Sequence, residues 1–133
     1  VTAPPVIVTA KIDDILAHGN PQRLTSTYTS RIVCADGFHL SVIAGCGAYS
    51  APRTSLPGYD DLDLSWEPAD YPGPYTAVEV GFPGERPEPW DGRGGEGWGW
   101  YAEEPATPTE TVYGWVPGDM VRDLILLHGG EKS

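Results

Sequence analysis

Residues 24–44 read LTSTYTSRIVCADGFHLSVIA. The first half, 24–34, is rich in β-branched residues and free of Gly and Pro, a composition suited to a pleated, half-buried strand. Ala35-Asp36-Gly37 follows, with the glycine placed where a hairpin turn demands a positive φ. The return segment alternates. Phe38, Leu40, Val42 and Ala44 fall on one face, and His39, Ser41 and Ile43 on the other. The stretch therefore predicts an antiparallel hairpin with one apolar face. The rest of the chain must supply further strands and a cover for that face.

Further strands are legible downstream. YTAVEVGF (75–82) alternates Val78, Val80 and Phe82 against Ala77, Glu79 and Gly81, and TVYGWV (111–116) has the same β-rich character. Pro117 then opens a helix, since proline suits a first helical position. Asp119 lies where a carboxylate favours the helix dipole. Val121, Leu124, Ile125 and His128 share a face, and Gly129 terminates. Upstream, residues 8–18 predict a short helix with Val8, Ile12, Ile15 and Leu16 on one side, Thr9 as cap and Gly19 as stop. Residues 1–7 read as an extended arm because Pro4 and Pro5 exclude helix. Two segments, 51–74 with five prolines and 83–108, read as long irregular loops. The prediction is one α+β domain over 1–133. A small antiparallel sheet of about four strands carries the C-terminal helix, and the N-terminal one, on one face. Its core would hold Ile32, Leu40, Val42, Val78, Val80, Phe82, Val112 and Val116, with Val121, Leu124 and Ile125 from the helix.

Charge is distributed unevenly. The net charge is -11. Residues 60–110 hold 13 acids and only Arg86 and Arg93 as bases, whereas both flanks are nearly neutral. Such a field repels phosphates and disfavours direct nucleic-acid binding. It suits a basic protein partner, a cation or plain solubility. With 17 glycines, 14 prolines and 40% apolar residues in 133, the core is expected to be small and the loops stiff. Two cysteines, Cys34 and Cys46, are too few for a disulfide scaffold. Neither a signal-peptide pattern nor a membrane-length apolar run occurs, so a cytoplasmic setting is expected and a membrane partner is not.

Gly92, Gly94 and Gly97 spell G-x-G-x-x-G. That motif cradles a pyrophosphate only between a strand and a helix N-terminus. Here Glu88-Pro89-Trp90-Asp91 precedes it and Trp98-Gly99-Trp100-Tyr101 follows, with Asp91 and Glu96 repelling phosphate. A nucleotide cradle is not expected. The aromatics Trp90, Trp98, Trp100 and Tyr101 are the more informative feature. If the backbone is extended, Trp98 and Trp100 project to one side and can stack on a ligand or anchor an interface. Alternatively the rings fold back and close the core. Cys34, His39, Cys46 and His128 lack the short paired spacings of zinc sites, and Asp60, Asp61 and Asp63 complete no calcium loop. No metal and no cofactor are expected. Cys34 or Cys46 with His39 or His128 could make a nucleophile and base, but no spacing places them together with an orienting group. An enzyme is therefore not expected.

RIVCADGFHLSVIAG, YTAVEVGFP and VYGWVPGDMVRDLILLHGG together resemble a group of small phage and prophage proteins, many of them actinobacterial. The resemblance covers roughly residues 24–50, 73–82 and 100–130 and brings no catalytic motif. Members of the group have a shorter loop between the third and fourth strands, which implies that the glycine-rich stretch is an elaboration. The resemblance implies a host-cell cytoplasm. Joined to the charge, it favours a non-enzymatic accessory or counter-defence factor, anti-CRISPR-like, that binds a basic host protein or nucleoprotein complex. The expected contact residues are Asp60, Asp61, Asp63, Trp90, Trp98, Trp100, Tyr101, Glu103 and Glu104. One alternative is a small-ligand binder, for instance a nucleotide-signal sponge, using Trp98 and Trp100 as stackers with Arg53 or Arg93 as the anion contact. Another is a virion or assembly component. Homo-oligomerisation stays open.

Overall fold

The computed structural model describes residues 8–20, 30–45, 48–52, 54–55, 67–68, 71–91 and 97–132. Its helices are α1 (Ala10–His18) and α2 (Gly118–Leu127), and its strands are β1 (Arg31–Val33), β2 (His39–Ile43), β3 (Thr54–Ser55), β4 (Glu67–Pro68), β5 (Ala77–Gly81) and β6 (Val112–Pro117). Four strands form an antiparallel sheet in the order β1-β2-β5-β6, and β3 pairs with β4 in a separate parallel ladder. The architecture is α+β, as the sequence predicts. The arm at 1–7, the start of the first strand at 24–29 and most of 53–70 lie outside the described residues.

The opening hairpin forms, with Ile32 opposite Leu40 and Val33 opposite His39. Gly37 takes φ 95 in the turn, and the Phe38 amide donates to Asp36 Oδ1 at 2.9 Å, a local bond that favours Asp at such a position. Phe38, Leu40, Val42 and Ala44 are all buried. They meet Ile32, Val78 and Val80 from the sheet, Ile12 and Ile15 from α1, and Val121, Leu124 and Ile125 from α2 in one core. Each such side chain contributes about 1.5–3 kcal/mol of burial. Helices of nine and ten residues depend on that packing to persist.

Two expected core residues lie elsewhere, for one reason each. The register between β5 and β6 shifts, with Val78 opposite Val116 but Val80 opposite Tyr113. Gly114 and Trp115 thus face Glu79 alone, a β-bulge that reverses the inward and outward alternation. Tyr113 consequently takes the core position, fully buried, and Val112 turns to the other face of the sheet. Trp115 accommodates the bulge at φ 52, an unusual value for a bulky residue. Phe82 follows the end of β5 at φ 49 and is 57% exposed. The left-handed residue swings its ring off the face that strand alternation would assign.

Both sheet edges are covered, which removes the exposed ladder groups that invite aggregation. Along β6, the Glu103 amide donates to the Val112 carbonyl and the Gly114 amide to the Tyr101 carbonyl. Along β1, the Ala35 amide donates to Gly130 O and the Lys132 amide to Val33 O, both at 2.8 Å. The chain reaches β1 by a helix stop in which Gly129, at φ 90, donates to Leu126 O and Gly130 to Ile125 O. These are the two bonds of a Schellman motif.

That return delivers Glu131 to the start of α1. Its Oε1 accepts the Lys11 amide at 2.8 Å and its Oε2 the Ile12 amide at 2.9 Å. Thr9, the expected cap, makes no capping bond. Its hydroxyl donates to Asp13 instead. A carboxylate from the far end of the chain therefore satisfies the first helical amides. Arg122 ties the helices together as well, its Nε donating to Asp13 Oδ1 at 2.9 Å.

One glycine is demanded by a close approach. Gly73 has φ 98, and a Cβ there would lie 2.2 Å from the Ala17 carbonyl oxygen. Gly73→Ala combines backbone strain with a backbone clash, and the expected loss is about 2–4 kcal/mol in denaturant titration. An unchanged midpoint would contradict this packing.

Candidate functional site

Segment 48–51 crosses the sheet face that points away from the core. The Tyr49 amide donates to Glu79 Oε1 at 3.0 Å, and Glu79 alternates with the buried Val78 and Val80. The Tyr49 carbonyl accepts the Trp115 amide at 2.9 Å, so the bulge and the crossing segment hold each other. Tyr49 and Trp115 stack at 4.8 Å between centroids and 23° between planes. A side chain at 114 would press on this arrangement, because a Cβ there would lie 3.2 Å from Tyr49 Cβ.

Next to that stack, residues 98–100 form a single 3-10 turn, where positions two apart diverge rather than align. Trp98 is driven inward. It is 1% exposed and meets Tyr113 edge-on at 5.5 Å. Trp100 is driven outward and is 70% exposed. The expected pairing of Trp98 and Trp100 on one side is thus corrected: the backbone is not extended, and Trp98 is a core residue with no face to offer a partner or a stacked ligand. Trp90 is half-buried against Tyr113 at 6.4 Å, and the Arg86 guanidinium lies 5.5 Å from its ring centroid.

The result is a hollow of about 450 Å³ lined by Tyr49, Trp100, Tyr101, Glu103, Val112, Gly114 and Trp115. Among the described residues its lining is mainly aromatic, with one carboxylate and no base. Of the expected contact residues, the structure brings Trp100, Tyr101 and Glu103 together here. Glu104 is exposed nearby in sequence, with its Oε1 taking the Ala106 amide in a turn. Asp60, Asp61, Asp63, Arg53 and Arg93 lie outside the described residues. Nothing in the sequence pattern points to Tyr49, Val112, Gly114 and Trp115 as site residues. The bulge that turned Val112 outward and raised Trp115 has no pattern signature, and Tyr49 stands in a segment without periodicity.

The other chemistry-bearing residues form a clasp. The His128 Nδ1 donates to Asp36 Oδ2 at 2.7 Å, its Nε2 lies 3.7 Å from Glu85 Oε1, and its ring stacks on Phe38 at 3.9 Å. A polar hollow of about 310 Å³ beside it is lined by Asp36, Gly37, Phe38, His39, Gly84 and Glu85. The clasp joins the end of α2 to the hairpin turn. Cys34 lies in the core, and burial, with Asp36 and Glu131 adding to it, pushes its thiol up to about 11. Such a thiol is not an activated nucleophile near neutral pH. Among the described residues no three of His, Cys, Asp and Glu gather so as to hold a metal ion, and no helix is long and apolar enough to cross a membrane. Gly97, the last glycine of the G-x-G-x-x-G, leads into the 3-10 turn rather than into an α-helix.

The Phe38 amide and then the His128 ring hold the Asp36 carboxyl below its ordinary 3.8. The folded carboxyl is the stronger acid, so its contribution is complete above the unfolded value and is lost as pH falls through the folded one. Asp36→Asn should therefore flatten the fall in stability below about pH 4, measured by denaturant midpoints between about pH 2 and 6. Parallel acid limbs in the two proteins would contradict the clasp.

Comparison of the chain with family models, curated proteins and solved structures gives no match. The site's geometry and the charge pattern therefore carry the functional reading.

Proposed function

We propose that this chain is a non-enzymatic acidic binding protein that engages a basic protein through the aromatic hollow. In the phage setting that the sequence resemblance implies, it would be an accessory or counter-defence factor acting on a host nucleic-acid-handling complex, anti-CRISPR-like, partly by charge mimicry. The observation that carries the reading is the convergence of the Trp100, Tyr101 and Trp115 rings with the Glu103 carboxylate on one hollow. Rings and carboxylate together favour a cationic contact, because aromatic faces attract cations and a nearby carboxylate adds Coulomb attraction. The -11 net charge adds long-range steering toward a positive partner.

The test is affinity capture from nuclease-treated host lysate at two salt concentrations. The wild-type chain should recover a basic protein, with less recovered at higher salt. Neutralising Asp60, Asp61, Asp63, Glu103 and Glu104 to their amides should reduce recovery at least about tenfold, since rim charges mainly set association rate and salt dependence. Unchanged recovery would remove the charge from the account.

A further inference from the structure

The hollow's pairing of tryptophan and carboxylate recurs elsewhere in the chain, there together with an arginine. Arg86 forks onto Glu88, with Nε and Nη2 donating to Oε1 at 2.9 and 2.8 Å. The same guanidinium lies over the Trp90 ring, 5.5 Å from its centroid. The other oxygen of Glu88 accepts the Trp90 backbone amide at 3.0 Å, which ties the carboxylate to the residue that carries the indole. Tryptophan, carboxylate and arginine thus form one unit.

The hollow on the far face of the sheet holds the first two parts of that unit. Trp100 presents most of its indole to solvent, and Glu103 lines the same hollow. The Glu103 amide is held by the Val112 carbonyl, so its backbone is positioned, while its carboxylate makes no hydrogen bond or ion pair with a described residue. The stacked Tyr49 and Trp115 rings form another wall.

We infer that the occupant of the hollow is an arginine side chain of the partner, its guanidinium laid on the Trp100 indole and forked onto Glu103. The inference rests on the reading that the partner is a basic protein, and it narrows that reading to one side chain. Arginine fits better than lysine for physical reasons. The guanidinium is planar, stacks on an aromatic face, sheds water readily and offers paired donors to one carboxylate. A lysine ammonium is a strongly hydrated point charge and gains less from a flat wall. The methylene stem of an arginine would cover Val112, the aliphatic side chain of the lining. A second copy of this chain is disfavoured as occupant, because two chains of net charge -11 repel.

Acetylated and amidated tetra-arginine, tetra-lysine and tetra-glutamate peptides test the inference, read by the NMR shift of the Trp100 indole N–H. The arginine peptide should move that signal and bind at least about tenfold tighter than the lysine peptide, and the glutamate peptide should not bind. Trp100→Ala, followed through the Trp115 indole, and Glu103→Gln should each abolish the arginine preference. Glu110→Gln, an exposed acid outside the hollow, should leave it intact. Equal affinity for arginine and lysine, or a preference that survives Trp100→Ala, overturns the arginine inference and leaves the basic-partner reading standing. Failure of both cationic peptides to bind overturns the two together.

Discussion

Trp98→Ala is expected to lower the unfolding free energy by about 3–5 kcal/mol, whereas Trp100→Ala should change it by less than about 0.5 kcal/mol. The two residues are separated by one glycine and differ in little but direction. Trp98 is sealed at 1% exposure, its amide donates to the Pro89 carbonyl at 2.9 Å, and its ring meets the buried Tyr113 edge-on. Removing it opens a cavity where the 97–101 segment, Trp90 and the sheet converge. For a chain of this size the loss corresponds to about 11–18 °C in Tm. Trp100 packs on nothing comparable and its truncation should be felt in binding alone. Thermal unfolding of the two variants decides the matter. Similar midpoints would mean that the 3-10 turn does not sort the rings as described.

Glu131→Ala should cost about 2–3 kcal/mol, more than any ordinary surface acid. The carboxylate accepts two amides of α1, one of them the buried Ile12 N–H, and charge-assisted bonds of this kind are among the stronger ones. Truncation leaves those donors without a partner and frees the strand-like return along β1. Glu131→Gln should lose about half as much, since an amide oxygen can serve only part of the pair. Denaturant titration measures the loss, and hydrogen exchange gives its location. The Lys11 and Ile12 amides should lose protection first, while those of β2 and β5 keep theirs. Uniform loss across the sheet would contradict a local capping role.

Much of the fold is legible in the sequence because its signals are local. The hairpin is written in β-branched residues around Asp36-Gly37, and the inward set Phe38, Leu40, Val42 and Ala44 follows from period two. The α2 stop is written in Gly129 and Gly130. The misplacements arise where a non-local device intervenes. Val112 and Tyr113 exchange roles because Gly114 and Trp115 share one partner on β5, and a bulge leaves no mark in hydrophobic periodicity. The α1 cap lies about as far away as the chain permits, 119 residues between Ile12 and Glu131, so Thr9 attracts the reading by adjacency. The candidate site divides the same way. Trp100, Tyr101 and Glu103 are visible as an aromatic and acidic run, whereas Tyr49 and Trp115 join them only through the crossing segment and the bulge. Strand alternation assigns Trp98 to the site, and a 3-10 turn does not obey it.

The central claim, that the aromatic hollow is the surface a basic partner occupies, is tested most directly by hydrogen exchange of the chain alone and with the captured partner. The account predicts new protection at residue 49, across 100–103 and across 112–115, with Leu126 and Leu127 on the outer side of α2 unchanged. Protection confined to α2 or to the Asp36 turn, with the hollow exchanging as in the free chain, would contradict it.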